Sequence, residues 1–312
     1  MPASASRPPK RSTLNWHLRT RAKVPDDLRH LLVDIARAGR DIRYAIQTSE
    51  GGLSGGSNQF GEQQLKLDVL ADELMEHYLC ENGAVACFCS EEHDNIVEVD
   101  PRASYSVAFD PLDGSSLVDA NFAIGSIFGV YKGSAIIGRT PREQIAAGYI
   151  LYGPRTLFVY SAGDGVHAFL LNDIGEFILM REYMGIGDSA KNYSPGNLSA
   201  IHDNVAYRRV LDHWLSSMTL RYSGCMVADI HHILSKGQGV FTNIGGAKYP
   251  EGKLRLVFEC GPFAYLVEQA GGASSDGKHS LLDHVITACD QRTPIIVGSG
   301  PEVASVVKML KA

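Results

Sequence analysis

The chain has 312 residues, of which 45% are hydrophobic, so it can bury a full core, and its length favours two lobes. Its net charge of −6 is unevenly distributed: residues 1–25 hold six Lys or Arg and no acid, so the remainder carries −12, which argues against a nucleic-acid-binding face on the folded body. Because no apolar run approaches the ~20 residues of a membrane span and no signal-peptide core is present, we expect a soluble protein without membrane or nucleic-acid partners.

The tail up to residue 25 is basic and contains Ser and Pro, which predicts a flexible arm. Six cysteines stand without a C-x-x-C pair, mostly in apolar segments, and this favours reduced, buried thiols in a reducing compartment. We therefore expect a cytoplasmic protein. The alternative is a plastid or another organelle, if the Arg-rich arm is the remnant of a targeting segment.

The body is predicted to begin with two helices, followed by a strand-rich region. The first helix starts at Asp26 with a core-facing apolar stripe, and the second runs to about residue 79 with Asp68 on its inner face. One further helix is predicted near 141–147. Short apolar runs predict strands near 85–89, 104–109, 124–131, 149–152, 156–161, 166–171 and 176–180.

Helices and strands alternate after the turn at 194–197. Helices are predicted near 203–216, 225–236, 260–270 and 301–310. Strands are predicted near 219–222, 239–242, 254–259 and 294–298. A β-rich stretch followed by this alternation predicts a mixed α/β fold of two lobes, residues 26–195 and 196–312.

Four acidic groups follow two of the predicted strands. Glu91 and Glu92 come after the apolar run at 86–89, and Asp110 and Asp113 follow the run at 105–109. The proline between the two aspartates bars a helix and fixes a turn, which directs Asp113 and the preceding carbonyl towards the same point as Asp110. Each motif alone is more often a surface turn or a solvated loop. Together they predict a divalent-metal phosphatase, because Mg²⁺ takes oxygen ligands and leaves positions for a phosphate.

Two further segments predict anion sites. Gly114-Ser115-Ser116 offers backbone N–H groups and hydroxyls where a helix can begin, which suits a phosphate. As a strand, residues 253–259 would place Lys253 and Arg255 on one face with Glu259, although this face is equally typical of an exposed edge strand. Arg221 closes another predicted strand and adds a guanidinium. A second anion site predicts a substrate with two phosphates.

The segments 110–116, Glu91-Glu92 and 253–259, the last followed by Ala270-Gly271-Gly272, resemble the class I fructose-1,6-bisphosphatase family. The resemblance covers nearly everything from about residue 28 onward. The D-P-L-D-G core alone is shared with inositol monophosphatase-like enzymes. Five further segments are similar to the sedoheptulose-1,7-bisphosphatase branch of the family: 152–156, 194–198, 219–222, 240–243 and 274–278.

The resemblance implies a layered α-β-α-β-α sandwich that forms a homodimer or homotetramer, with metal bound in lobe 26–195 and sugar phosphate in lobe 196–312. It implies Mg²⁺-dependent hydrolysis of the 1-phosphate of sedoheptulose 1,7-bisphosphate, a small-molecule substrate. The alternative is a fructose-1,6-bisphosphatase or a dual-specificity form.

The resemblance also implies the role of each site residue. Two or three Mg²⁺, or Mn²⁺, would be bound by Glu91, Asp110, Leu112 through its carbonyl, Asp113 and Glu259. Asp68 and Glu92 would activate water, supported by Glu62, where the family has Asp. The 1-phosphate would be held by Gly114, Ser115 and Ser116. The sugar and the distal phosphate would be held by Asn197, Arg221, Tyr222, Met226, Asn243, Lys253 and Arg255.

Two of these residues carry more specific expectations. Arg221 is expected to reach in from a neighbouring subunit. Asn243 stands where the fructose-1,6-bisphosphatase pattern has a tyrosine.

Two readings from other functional classes stay open at this point. A catalytically inactive sugar-phosphate sensor would have the same fold, although it would gain nothing from five unpaired carboxylates. The basic arm could bind nucleic acid, and salt-dependent DNA retention would reveal this.

Overall fold

The computed structural model describes residues 12–48, 53–57, 63–93 and 95–311, with the backbone alone at 53–57 and 63–65. The helices are α1 (Leu14–Thr20), α2 (Asp26–Thr48), α3 (Lys66–Glu81), α4 (Val205–Ser217), α5 (Met226–Lys236), α6 (Gly261–Gln269) and α7 (Gly300–Lys311). The strands are β1 (Leu53–Ser57), β2 (Gln63–Leu65), β3 (Val85–Ser90), β4 (Val97–Glu98), β5 (Tyr105–Asp113), β6 (Ile124–Lys132), β7 (Gln144–Tyr152), β8 (Thr156–Ser161), β9 (Val166–Leu171), β10 (Phe177–Met184), β11 (Asn192–Gly196), β12 (Thr219–Leu220), β13 (Val240–Asn243), β14 (Ala273–Ser275) and β15 (Ile295–Gly298).

The strands form two large sheets and a small two-stranded one. The first large sheet has the order β10-β9-β8-β7-β6-β5-β3-β4, and the second has the order β12-β11-β13-β15-β14. In the first sheet β3 and β5 are parallel, whereas β5, β6 and β7 pair antiparallel. The parallel pair matters for the site, because it brings two strand ends to the same edge.

Alternate residues of each sheet pack into different helical layers. Phe128 and Val130 of β6 share a core with α2 and α3, whereas Tyr131 faces α5 and α6. In the second sheet Phe241 faces that same middle layer of helices, whereas Val240 packs against α4 and α7. The layers therefore run helix, sheet, helix, sheet, helix, which confirms the predicted mixed α/β sandwich.

Residues 12–25 differ from the prediction of a flexible arm. Leu14–Thr20 forms α1, with Thr13 at its N-cap accepting a hydrogen bond from Trp16 N–H at 3.2 Å. Leu14, His17 and Leu18 are buried in the same core as α2. Burial of these three side chains offsets the conformational entropy that the segment loses when it becomes ordered. The polar composition of the segment, taken alone, had suggested a flexible arm. Residues 1–11 of the predicted arm lie outside the described residues.

The helix predicted near 141–147 is wrong. Thr140 and Glu143 do form the capping box that suggests a helix start, but it holds a single 3₁₀ turn, Pro141–Glu143. The following residues form β7, which pairs with β6 from Gln144 to Tyr152 and with β8 from Ala147 to Tyr152. Burial between two neighbouring strands overrides the helix propensity of the two alanines at 146 and 147.

The strand predicted at 254–259 is also wrong. Leu256–Cys260 forms a π-helical turn that leads into α6, with Cys260 N–H donating to Arg255 O at 3.0 Å. Both neighbours of Phe258 are buried, so the alternation of polar and apolar residues did not report two faces of a strand. The π turn instead directs Glu259 back to its own start, where its Oε2 accepts from Arg255 N–H at 2.7 Å.

The second sheet already begins at Asn192, a few residues before the boundary predicted after residue 195. All six cysteines are free thiols; four are buried. Across the described ranges, no helix combines the length and apolar character that membrane spanning requires.

Candidate active site

The carboxyl ends of β3 and β5 lie side by side and carry acidic residues. Ser90, the last residue of β3, is paired with Phe109 of β5, and Glu91 N–H donates to Phe109 O at 3.1 Å. Glu91 and Asp110 are both buried. The parallel pairing thus brings together the two acidic loops that are 18 residues apart in the sequence.

A bulge in β5 turns Asp110 and Asp113 to the same cavity. The register of β5 with β6 shifts between these two residues, where Pro111 lies. The bulge is held locally, since Leu112 N–H donates to Asp110 Oδ1 at 2.8 Å and Ser126 Oγ donates to Pro111 O at 2.7 Å. Leu112 also lines the cavity.

The second half of the chain completes this acidic cluster. Val227 N–H, at the start of α5, donates to Asp113 Oδ2 at 2.7 Å, and the Cys225 thiol lies 3.0 Å from the same oxygen. The π turn contributes Glu259. Oxygen atoms of Asp110, Asp113 and Glu259 all lie within 4.8 Å of one another, which suits a hard divalent cation.

The electrostatics of the cluster favour a bound cation. Burial, followed by repulsion from Glu91, raises the pKa of Asp110 well above its usual value. Burial raises the pKa of Asp113 to about 6 and that of Glu259 to about 7, although backbone N–H donors to both carboxylates act in the opposite direction. Carboxylates this close ionise together only when positive charge is supplied.

Arg255 supplies part of that charge. Its Nη1 donates to Glu91 Oε1, and both side chains are buried. The sequence had assigned Arg255 to the sugar and the distal phosphate. The structure places it along the same cavity but against the acidic cluster, where it balances Glu91.

A tight turn adjoins the acids. Gly114 has φ +81°, the left-handed region, and begins a 3₁₀ turn at Ser115–Leu117. A Cβ at Gly114 would lie 2.9 Å from Cys225 Cβ, so glycine is required both for the backbone conformation and for the close approach of the second half. Gly114, Ser115 and Ser116 all line the cavity.

One cavity of about 640 Å³ contains nearly the whole predicted set. It is lined by Asp68, Glu91, Glu92, Asp110, Leu112, Asp113, Gly114, Ser115, Ser116, Asn197, Tyr222, Met226, Asn243, Lys253, Arg255 and Glu259. Two predicted residues stand apart. Glu62 lies outside the described residues. Arg221 is exposed, donates to Leu220 O at 2.8 Å, and is not among the described residues that line the cavity.

The part of the cavity lined by the second half of the chain is polar and partly open. Asn243, the last residue of β13, is buried, and its Oδ1 has no hydrogen-bond partner among the described residues. Asn197 adopts φ +48° and donates to Ile244 O at 2.6 Å. Tyr222 is 46% exposed and Lys253 is exposed, so both can contact a ligand.

Sequence reasoning missed four polar residues of the cavity: Ser199, Asp229, Lys248 and Tyr249. Lys248 and Tyr249 lie on the loop after β13, and the Gly245-Gly246 pair that follows Asn243 was the signal that could have found them. Asp229 of α5 accepts from Ser223 N–H at 2.8 Å, and burial raises its pKa to about 6. No pattern in the sequence distinguishes Asp229 from other helical aspartates.

Two family models together match nearly all residues from 13 to 311. The family model for the fructose-1-6-bisphosphatase N-terminal domain matches residues 13–182, and that for the C-terminal domain matches residues 186–311. A class 1 fructose-1,6-bisphosphatase from Trichlorobacter lovleyi is 44% identical over 298 residues, which cover 94% of this chain and 93% of the relative.

Two further similar proteins differ from each other in the substrate that their names give. The chloroplastic sedoheptulose-1,7-bisphosphatase of Triticum aestivum is 42% identical over 289 residues, which cover 91% of this chain and 73% of the relative. The crystal structure of Leishmania major fructose-1,6-bisphosphatase in holo form superposes with a TM-score of 0.91 at 32% identity, covering 97% of this chain and 100% of that one.

Proposed function

The chain belongs to the fructose-1,6-bisphosphatase family and is a sugar bisphosphatase, and we propose that it hydrolyses the 1-phosphate of both fructose 1,6-bisphosphate and sedoheptulose 1,7-bisphosphate with Mg²⁺. The observation that carries this proposal is the meeting of Asp110, Asp113 and Glu259 within 4.8 Å, in one cavity with the Gly114 turn. Acidic ligands and a turn that can bind a phosphate are the two parts that metal-assisted phosphate hydrolysis needs.

The donor set fits a hard divalent cation, since all its ligands are oxygens and their raised pKa values reflect unbalanced negative charge. The ions would be held by Glu91, Asp110, Leu112 through its carbonyl, Asp113 and Glu259, two or three Mg²⁺ in number, with Mn²⁺ as a substitute. Bound there, they would supply Lewis-acid polarisation of the phosphoryl group.

The protein's own groups would do the remaining work. Asp68, buried on α3, and Glu92 face the cavity and would remove the proton from the attacking water. Gly114, Ser115 and Ser116 would hold the 1-phosphate through backbone N–H groups and hydroxyls. Glu62 would support the water from the segment outside the described residues.

Cavity residues from the second half of the chain would bind the sugar and the second phosphate. They are Asn197, Tyr222, Met226, Asn243, Lys253 and Arg255, the last also paired with Glu91. Arg221 is not among the described residues that line its own cavity, so its proposed role requires a homodimer or homotetramer in which it enters a neighbouring subunit's site.

The choice between six-carbon and seven-carbon substrates rests on different observations. The names of relatives such as the Trichlorobacter lovleyi protein support fructose 1,6-bisphosphate. Asn243 supports sedoheptulose 1,7-bisphosphate as the second substrate, because this small side chain leaves room for a longer sugar and its unpartnered Oδ1 can accept a hydrogen bond.

Phosphate release from the two bisphosphates, measured side by side in Mg²⁺ and in EDTA, tests the proposal. We expect turnover of both in Mg²⁺ only. Asn243→Tyr should shift the ratio of kcat/KM towards the six-carbon substrate by roughly 10- to 200-fold, the value of about 1–3 kcal/mol of fill and hydrogen bonding. Hydrolysis of neither bisphosphate would refute the function, whereas an unchanged ratio would refute only the role of Asn243.

A further inference from the structure

Helix α3 carries a row of three acids towards the catalytic loop. Asp68, Asp72 and Glu76 are spaced four residues apart and therefore share one face of the helix. Only Asp68 lines the cavity among the three. Asp72 is nevertheless 5% exposed, a burial that an aspartate tolerates only when it is well hydrogen-bonded.

Both oxygens of Asp72 bind the loop that follows β3. Its Oδ1 accepts from Ser90 Oγ at 2.5 Å, and its Oδ2 lies 2.7 Å from His93 Nε2. The ring nitrogen of His93 is also 3.2 Å from Glu76 Oε1. These contacts hold the chain at Ser90 and at His93, on both sides of Glu91 and Glu92, the proposed metal ligand and the proposed proton acceptor.

The hydrogen bonds of Asp72 extend through Ser90 to the backbone of Glu92. Ser90 Oγ, which donates to Asp72, also accepts from Glu92 N–H at 3.2 Å. A continuous chain of hydrogen bonds therefore joins the helix of Asp68 to the backbone of Glu92. Ser90 is fully buried, so water does not compete for its hydroxyl.

We propose that Asp72, Ser90 and His93 are positioning residues that fix the Glu91-Glu92 loop relative to Asp68. The proposal rests on the function proposed above, because it concerns the two acids that would activate water. A group held about 1 Å from its working position costs a metal-assisted hydrolysis up to about 100-fold in rate. Loss of these contacts should therefore act on kcat and on metal binding more than on KM for the sugar bisphosphate.

The test uses His93→Ala, with His93→Gln as the conservative variant and His77→Ala as a matched control. His77 lies on α3, the helix that carries Asp72, and forms an exposed ion pair with Glu81 at 3.9 Å, far weaker than the His93 contacts. We expect His93→Ala to lower kcat about 10- to 100-fold with KM within about twofold. Gln can donate to Asp72 and should restore most of the activity, and His77→Ala should match wild type.

A second readout does not depend on turnover. The Mg²⁺ concentration that gives half of the full thermal stabilisation should rise several-fold in His93→Ala and in Asp72→Asn. Unchanged kcat and unchanged Mg²⁺ dependence in His93→Ala would overturn the proposal, as would a Gln variant no better than Ala. If wild type hydrolyses no bisphosphate, the proposed function fails, while the Mg²⁺ titration still decides whether the loop is positioned in this way.

Discussion

Asp113→Asn separates the chemistry of the acidic cluster from its cost to the fold. The carboxylate accepts hydrogen bonds from Val227 N–H at 2.7 Å and from the Cys225 thiol at 3.0 Å. An asparagine of the same shape keeps an oxygen in that position, so the junction between the two halves should be retained. What disappears is one negative charge from the set that would hold the metal ions.

The expected effects on activity and stability have opposite signs. Loss of one electrostatic stabiliser should lower kcat in Mg²⁺ at least ~100-fold. Burial raises the pKa of Asp113 to about 6, from an ordinary value of 3.8, so the folded protein holds this proton more tightly than the unfolded chain does. The loss of this proton therefore destabilises the fold progressively from about pH 4 to pH 6 and by a constant amount above pH 6. Without metal the variant should be about 1–3 kcal/mol more stable than wild type at pH 8, allowing for partial solvent contact.

The stability difference should shrink as the pH falls from 6 to 4, because wild-type Asp113 is protonated in the fold over this range and the unfolded chain approaches its own pKa of 3.8. Urea denaturation in EDTA at pH 8 and pH 4, together with phosphate release in Mg²⁺, measures both effects. Asp119→Asn, an exposed aspartate of the same segment, is the control and should change neither. Near-wild-type activity of Asp113→Asn, or a lower stability than wild type at pH 8 without metal, would refute the reasoning.

Two further outcomes follow from the same cluster. The metal-free wild type should lose stability as the pH rises from about 5 to 8, because Glu259, whose pKa is raised to about 7, keeps its proton in the fold after the unfolded chain has lost it near 4.5. In urea titrations, Glu259→Gln or excess Mg²⁺ should flatten this dependence of stability on pH. A stability that rises with pH over this range would contradict the expectation. Gly114→Ala should lower kcat about tenfold or more and should destabilise the fold more than Gly138→Ala does. Gly138 is the matched control, because it has a similar φ of +87° but open space for a Cβ. Equal effects of the two variants would show that crowding against Cys225 is unimportant.

The parts of the site that lie directly after strong strand patterns could be predicted from the sequence. Glu91 and Asp110 follow largely apolar runs, and parallel pairing of such strands brings their ends together. Gly114 could be predicted in the same way, because a glycine followed by two serines after an acidic turn favours a helix start. These inferences use only local periodicity and turn chemistry, which act over a few residues.

The contacts between the halves could not be predicted in this way. The bond of Asp113 to Val227 spans more than a hundred residues, and the pairing of Arg255 with Glu91 spans even more. The π turn at 256–260 has no local signal, since its residues are buried on all sides and read as an alternating strand. Tertiary packing, rather than propensity, decides such segments.

The division of the acidic cluster between the two halves has a thermodynamic consequence. Asp110 and Asp113 come from β5, whereas Glu259 comes from the π turn beside the second sheet. Without cations their mutual repulsion, together with burial, opposes the close packing of these two parts, and Arg255 offsets charge at Glu91 and in part at Glu259. A divalent cation bound among them would favour the packed form over any form in which the halves separate, by mass action. The same ions that would activate the 1-phosphate would thereby also fix the distance to Asn243, which lines the same cavity, so metal binding and selection of the sugar length are expected to be coupled.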